Sequence, residues 1–155
     1  MRGILIDPFA EKVQVVEVSS DFRDIYRHIQ ADCFTIVRLT ARNEREETLY
    51  VDDNGLYVEN QRFFIWHEYP QPLAGRGLIL GTDMEGETVS SEMKIEEAVR
   101  KISWLRDVSF GSIRQTQGEI DHPAFGRMMS INRIPEFNVG ENFDRLQASM
   151  EDVVE

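Results

Sequence analysis

Few residues of this chain have both the type and the company to do chemistry. The densest stretch runs from Tyr69 to Asp83, with Pro70 and Pro72, then Gly75-Arg76-Gly77, then Leu78-Ile79-Leu80-Gly81. Glycines beside an arginine can cradle a phosphate when a helix starts directly after them, because the free N–H groups of the helix N-terminus hold the anion. Here an apolar run follows that reads as a strand, and there is no Gly-Lys-Ser/Thr. The expectation is a turn leading into a strand. Gly75, Arg76 and Gly77 remain a candidate contact for a ligand or partner, made through the Arg76 side chain.

Trp66-His67-Glu68-Tyr69 is the second candidate. A histidine beside a carboxylate suits acid–base work near neutral pH. On a strand, however, adjacent residues point to opposite faces, so His67 and Glu68 cannot act as a pair. His67 shares a face with Phe63, Ile65 and Tyr69 and is expected to be a half-buried packing residue. Asp83 opens the acidic loop 82–88, which lacks the ligand spacing of a calcium site. Asp52 and Asp53 are explained by turn chemistry. Cys33 is the only cysteine, and it stands without an evident base beside an apolar run, where a small buried thiol fits best. Three histidines and one cysteine at distant positions give no zinc pattern, and no hydrolase or metalloprotease motif is present. No catalytic set, metal site or cofactor is expected. The weak candidates for binding are Gly75, Arg76, Gly77, His67, Trp66 and Asp83.

The elements that must position these residues follow from periodicity. Residues 3–7 and 12–18 read as a hairpin around Pro8. Phe22, Ile25, Tyr26 and Ile29 make a helical stripe over 21–31, with a cap offered by Ser19-Ser20-Asp21 and His28 on the solvated side. Residues 33–39 read as a strand and 41–47 as a charged loop. Leu-Tyr-Val at 49–51 and again at 56–58 flank Asp-Asp-Asn-Gly, which predicts a tight hairpin. Residues 62–69 and 77–81 read as further strands. From Ser90 the pattern turns helical over 91–105. Residues 108–141, rich in Gly and Pro, read as loops with one or two short strands, and Asn142 as the cap of a last helix carrying Phe143, Leu146 and Met150.

The totals bound the class. The chain has 155 residues, 41% of them hydrophobic, and a net charge of −11. That is enough for one globular core and too acidic for direct nucleic-acid binding without a basic cluster, which is absent. One cysteine fits a reducing cytoplasm, and no apolar run is long enough to span a membrane. The N-terminal residues are too short an apolar stretch for a signal peptide.

Asp-Pro after the first strand, one helix, the Tyr50-Val51-Asp52-Asp53-Asn54-Gly55-Leu56 turn and the run from Pro70 to Gly81 together resemble DUF3846, a family of domains of unknown function found in phage, plasmid and bacterial genomes. The resemblance covers about residues 1–90. It implies an accessory protein of mobile DNA in a bacterial cytoplasm, and no catalytic residues carry over. The expected fold is α+β: a twisted, mostly antiparallel sheet of about five to six strands with one helix packed on it, plus a helical and loop-rich C-terminal part. The expected division is a β-rich core domain at 1–89 and an extension at 90–155 packed on the same core. The expected function is a non-enzymatic binding or inhibitor module whose partner is another protein, such as a phage-type factor engaging a host protein. The alternatives are an enzyme or small-ligand-binding protein with an unfamiliar site, sited where Arg76 and the loop 82–88 meet the aromatic strand, and an acidic mimic of nucleic acid. Oligomeric state is left open by the sequence.

Overall fold

The computed structural model describes residues 1–42, 45–124 and 126–148. β1 (Arg2–Asp7) and β2 (Lys12–Glu17) form a hairpin, registered from Arg2 opposite Glu17 to Asp7 opposite Lys12. Asp7 closes it by accepting the N–H groups of Phe9 (2.9 Å) and Ala10 (3.3 Å). α1 (Arg23–Ile29) follows and stops at Gln30, whose backbone is left-handed. β3 (Phe34–Arg42) and β4 (Arg45–Asp52) make the next antiparallel pair. A 3₁₀ turn at Gly55–Tyr57 leads to β5 (Phe63–Trp66), β6 (Leu73–Ala74) and β7 (Gly77–Thr82). β8 (Thr88–Val89), α2 (Ile95–Arg100) and two long strands, β9 (Ile102–His122) and β10 (Gly126–Gln147), complete the described chain.

Two antiparallel sheets result. The first has the order β2-β1-β7-β4-β3 with β8 added to β7; the second has the order β10-β9-β5-β6. β7 is the hinge of the arrangement. Leu78 and Leu80 point to one face, where they meet Ile25 and Ile29 of α1 together with Val18 and Tyr50. Ile79 points to the other, into a core shared with Phe64, Trp66 and Trp104 of the second sheet and Ile95, Ala98 and Val99 of α2. The period-2 alternation of a strand thus serves two cores at once, giving layers of helix, sheet, and second sheet with helix. Each fully buried Leu or Ile contributes about 1.5–3 kcal/mol.

The α+β expectation is overturned. The molecule is mostly antiparallel β in two sheets, and its C-terminal part is not helical and loop-rich but the β9–β10 pair. The helix expected over 91–105 is cut to Ile95–Arg100, because Ile102–Leu105 pair with β5, Ile102 opposite Trp66 and Leu105 opposite Phe63. The helix expected from Asn142 is strand: Leu146 lies opposite Trp104, and Phe143 is exposed. Met150 and the tail lie outside the described residues. The Leu-Tyr-Val hairpin does not form either. Both edges of β4 are taken, by β3 and by β7, so 56–58 has no edge to join and coils into the 3₁₀ turn. Residues 41–47 belong largely to β3 and β4, and positions 43–44 lie outside the described residues.

Gly77 marks how tightly the sheets meet. A Cβ there would stand 2.8 Å from Leu49 Cδ1 and 3.0 Å from Phe64 Cζ. Gly77→Ala is therefore expected to lower stability by about 1–3 kcal/mol through overpacking. Gly86→Ala, in a loop with open space around it but a φ of +82°, costs only the backbone strain, about 1 kcal/mol. Urea unfolding of the two variants checks the order.

Candidate functional site

The glycine turn ends β6 and starts β7. Gly75 has a φ of +78°, and its N–H donates to the Arg62 carbonyl at 2.8 Å. Gly77 is already in the ladder, opposite Ile6 on one side and Val51 on the other. No ring of free amides is left for an oxyanion at these glycines, and no helix begins here. Arg76, between them, reaches back to the first hairpin. Its guanidinium lies 4.5 Å from the centroid of the Phe9 ring, and its Nε is 3.5 Å from Asp7 Oδ2.

Arg76, Phe9, Gln61, Gln30 and Asp52 line a cleft of about 320 Å³. Its polar groups are largely committed to the protein. Gln61 Nε2 donates to the Gly55 carbonyl at 2.7 Å and its Oε1 accepts from Arg62 N–H at 3.1 Å. Asp52 Oδ1 accepts from Asn54 N–H at 2.9 Å. Such a cleft can hold a small polar group against a guanidinium; it holds no nucleophile–base pair.

The other sequence candidates lie elsewhere. Trp66 is 1% exposed and belongs to the core, so it cannot touch a partner as it stands. Its indole Nε1 is buried without a hydrogen-bond partner. His67, expected to be half-buried in an aromatic row, is an exposed residue just beyond β5, and its Nε2 lies 2.8 Å from Ser103 Oγ. Glu68, in the turn after β5, pairs with Lys101. His28, expected to be solvated, is partly covered and lies 3.5 Å from Asp24. Cys33 is half-buried, and its sulfur accepts from Asn54 Nδ2 at 3.1 Å.

Asp83 is a turn former. Its Oδ1 accepts from Glu85 and Glu87 N–H at 3.0 and 2.9 Å. The six residues of β7 separate it from Arg76 by about 20 Å, so the structure does not bring the two together at one site. Among the described residues, no three His, Cys, Asp or Glu side chains are grouped to hold a metal ion.

Two features escaped sequence reasoning. Glu47 is buried on β4, where it accepts from Ser91 Oγ and from Glu92 N–H, both at 2.8 Å. Arg45 binds Glu92 Oε1 at 2.6 Å and the Ser90 carbonyl. Together they clamp the segment entering α2 onto the first sheet, around a void of only about 20 Å³. Alternation within Arg45-Glu46-Glu47 was the available signal, but a charged triplet reads as surface.

The second is the β9–β10 arm. Ladder pairs run from Val139 opposite Val108 to Gly126 opposite His122, and among the described residues no third strand joins them. At the root, Phe137 packs edge-on against Phe63 (5.6 Å) and Phe110 against Tyr57 (5.6 Å). A groove of about 490 Å³ opens there between Tyr57, Phe63, Val108 and Phe110. Further out, Ile113, Ile134, Met128 and Met129 are exposed, Met129 by 66%. Glu11, in the β1–β2 turn, braces the root through two 2.9 Å bonds from Arg106.

The sequence profile of the domain of unknown function DUF3846 matches residues 1–103. The chain belongs to this family. No curated protein and no solved structure matches it. The DUF3846 segment holds the whole first sheet, β5, β6 and both helices. It stops at the first residues of β9, so the arm lies outside it.

Arg76→Ala removes the ring contact and the ion pair with Asp7 together, and is expected to cost about 1 kcal/mol in a thermal or urea melt, with Arg76→Lys losing less. The hydrogen bond from Arg106 holds the Glu11 carboxyl below its ordinary value near 4.5. A depressed carboxylate adds stability that is fully present above the unfolded value and is lost as pH falls through the folded one. Acid titration followed by amide exchange at the arm root should therefore show the root loosening below about pH 4.5, and Arg106→Ala should abolish that pH dependence.

Proposed function

We propose that this DUF3846 protein is a non-enzymatic binding module that engages another protein through the β9–β10 arm. The observation that carries the reading is the arm itself: a two-stranded ribbon that leaves the body with apolar side chains uncovered. An isolated ribbon of two strands is marginal in water, and clustered exposed apolar groups mark contact surfaces. The arm's charge favours a protein over a phosphate backbone. Between Val108 and Val139 lie three arginines and three carboxylates, so it has no net charge, while the whole chain stands at −11.

The setting that fits is an accessory factor of phage or plasmid origin, acting on a host protein in a bacterial cytoplasm, as inhibitor or adaptor. No helix among the described residues is long and apolar enough to cross a membrane. A second reading, a small-ligand binder, has one observation in its favour: the cleft of about 320 Å³ at Arg76 falls in the size range of ligand sites. The absence of a deep apolar lining and the internal commitments of Gln61, Asp52 and Asp7 count against it.

A photo-cross-linking amino acid placed at position 134 on the arm, or at exposed position 84 in the β7–β8 turn, separates the readings in a bacterial host. The binding module predicts a discrete adduct with one host protein from position 134 only, and its loss when Arg114, opposite Ile134, is changed to Glu. No host adduct, or the same adducts from both positions, overturns it.

A further inference from the structure

The two faces of the arm are not alike. Phe137, Pro135, Arg133 and Met129 alternate onto one face of β10; Glu136, Ile134 and Met128 alternate onto the other. The first face is continuous with the body's core, since Phe137 and Val108 pack with Phe63, Ala74 and Leu105. It then runs out over Ile113 to Met129, both exposed. The second carries the Arg114–Glu136 ion pair (3.2 Å) beside Ile134, as the first carries the Arg127–Glu119 pair (3.6 Å) beside Met129.

We infer that the first face is covered by the same face of a second copy of this chain, the two arms lying antiparallel so that the tip of each reaches the root of the other. This rests on the binding-module reading and names one of the partners. Three observations favour a second copy. Two molecules of charge −11 repel each other over most of their surfaces, and the arm, with equal numbers of arginines and carboxylates, is the extended element along which they can approach. The area is sufficient: from Val108 to His122 the ribbon is about 50 Å long and about 10 Å wide, so two such faces bury about 1,000 Å² in total, the lower bound of a specific interface.

The third observation is a matching knob and hole. Met129, 66% exposed near the tip, is opposite Glu119, nine residues along β9 from Phe110. A two-fold axis halfway along the arm brings that tip over the root groove of about 490 Å³, where Tyr57, Phe63, Val108 and Phe110 lie beside Glu59 and Gln61. A thioether on aromatic rings is a favourable fit, and the two-fold closes the assembly at two copies. The second face, with Ile134 and Met128, remains outward for the host partner.

Sedimentation of the intact chain between about 1 and 100 µM, a range bracketing typical specific affinities, tests the inference. The expected species is twice the 18.0 kDa chain mass at the upper end. Met129→Glu and Ile113→Glu, on the first face, are expected to weaken association at least tenfold; Ile134→Glu, on the second, leaves it unchanged. All three side chains are exposed, so circular dichroism should show an unaltered body. A monomer at every concentration, or equal loss from both faces, overturns the second-copy assignment. Cross-linking from position 134 reports separately: a host adduct from a chain that stays monomeric keeps the binding module and discards the dimer. A dimer with no host adduct does the reverse.

Discussion

β7 is paired along both edges and covered on both faces, and the rest of the body takes its place from that. Its N–H and C=O groups are taken up by β1 and β4, so a strand with almost no exposed backbone can be apolar throughout. Two of its side chains go to α1 and one to the second sheet, while Gly77 and Gly81 keep the sheet-facing side low enough for Phe64 and the Arg45–Ser90 contact to sit down on it. A side chain at either glycine would push the layers apart. The glycines that read as a possible phosphate cradle are thus a packing device, and the conformation of Gly75 is what turns the chain from one sheet into the other.

Electrostatics in this molecule act mainly as local ties. Asp7 holds its own hairpin turn and Arg76; Glu47 holds the approach to α2; Glu11 holds the arm root. Each carboxylate sits where two elements distant in sequence meet, which is where a charge-assisted bond adds registration that apolar packing cannot supply. Much of the acidic surplus is scattered over exposed positions such as Glu59, Glu85 and Glu96. Such a distribution repels like-charged surfaces, while the arm carries equal numbers of arginines and carboxylates between Val108 and Val139.

The arm inverts the logic of the body. In the body, polar backbone is satisfied because strands have neighbours on both sides. In the arm, among the described residues, β9 and β10 pair only with each other beyond Leu105. Edges of this kind invite pairing, and Pro135 and the charged residues along the arm blunt it. The arm's exposed apolar side chains, Ile113, Ile134, Met128 and Met129, stand on its faces rather than along its edges.

β1, β2, β5, β7, the start of β3 and the helical stripe of α1 were legible in the sequence because each has a buried partner, and burial writes itself into periodicity. Val13, Ile25, Ile29 and Leu78-Ile79-Leu80 are apolar at the positions that packing requires. What the second Leu-Tyr-Val does was not legible, since an occupied edge of β4 is a fact about other strands. Neither was the fate of 102–105, whose helical spacing lost to the free edge of β5. The arm was illegible for the same physical reason in its strongest form. Exposed on both faces, it carries no apolar rhythm, and its Gly, Pro and polar residues look like loop until two such segments find each other. Of the candidate site, residue types alone excluded a phosphate cradle at Gly75–Gly77, but only the fold buried Trp66, set Arg76 on Phe9 and parted it from Asp83. The sequence by itself marked the apolar rhythm of the elements that pack in the body. The tertiary structure decided which edges and faces would receive them, because that choice depends on neighbours far along the chain.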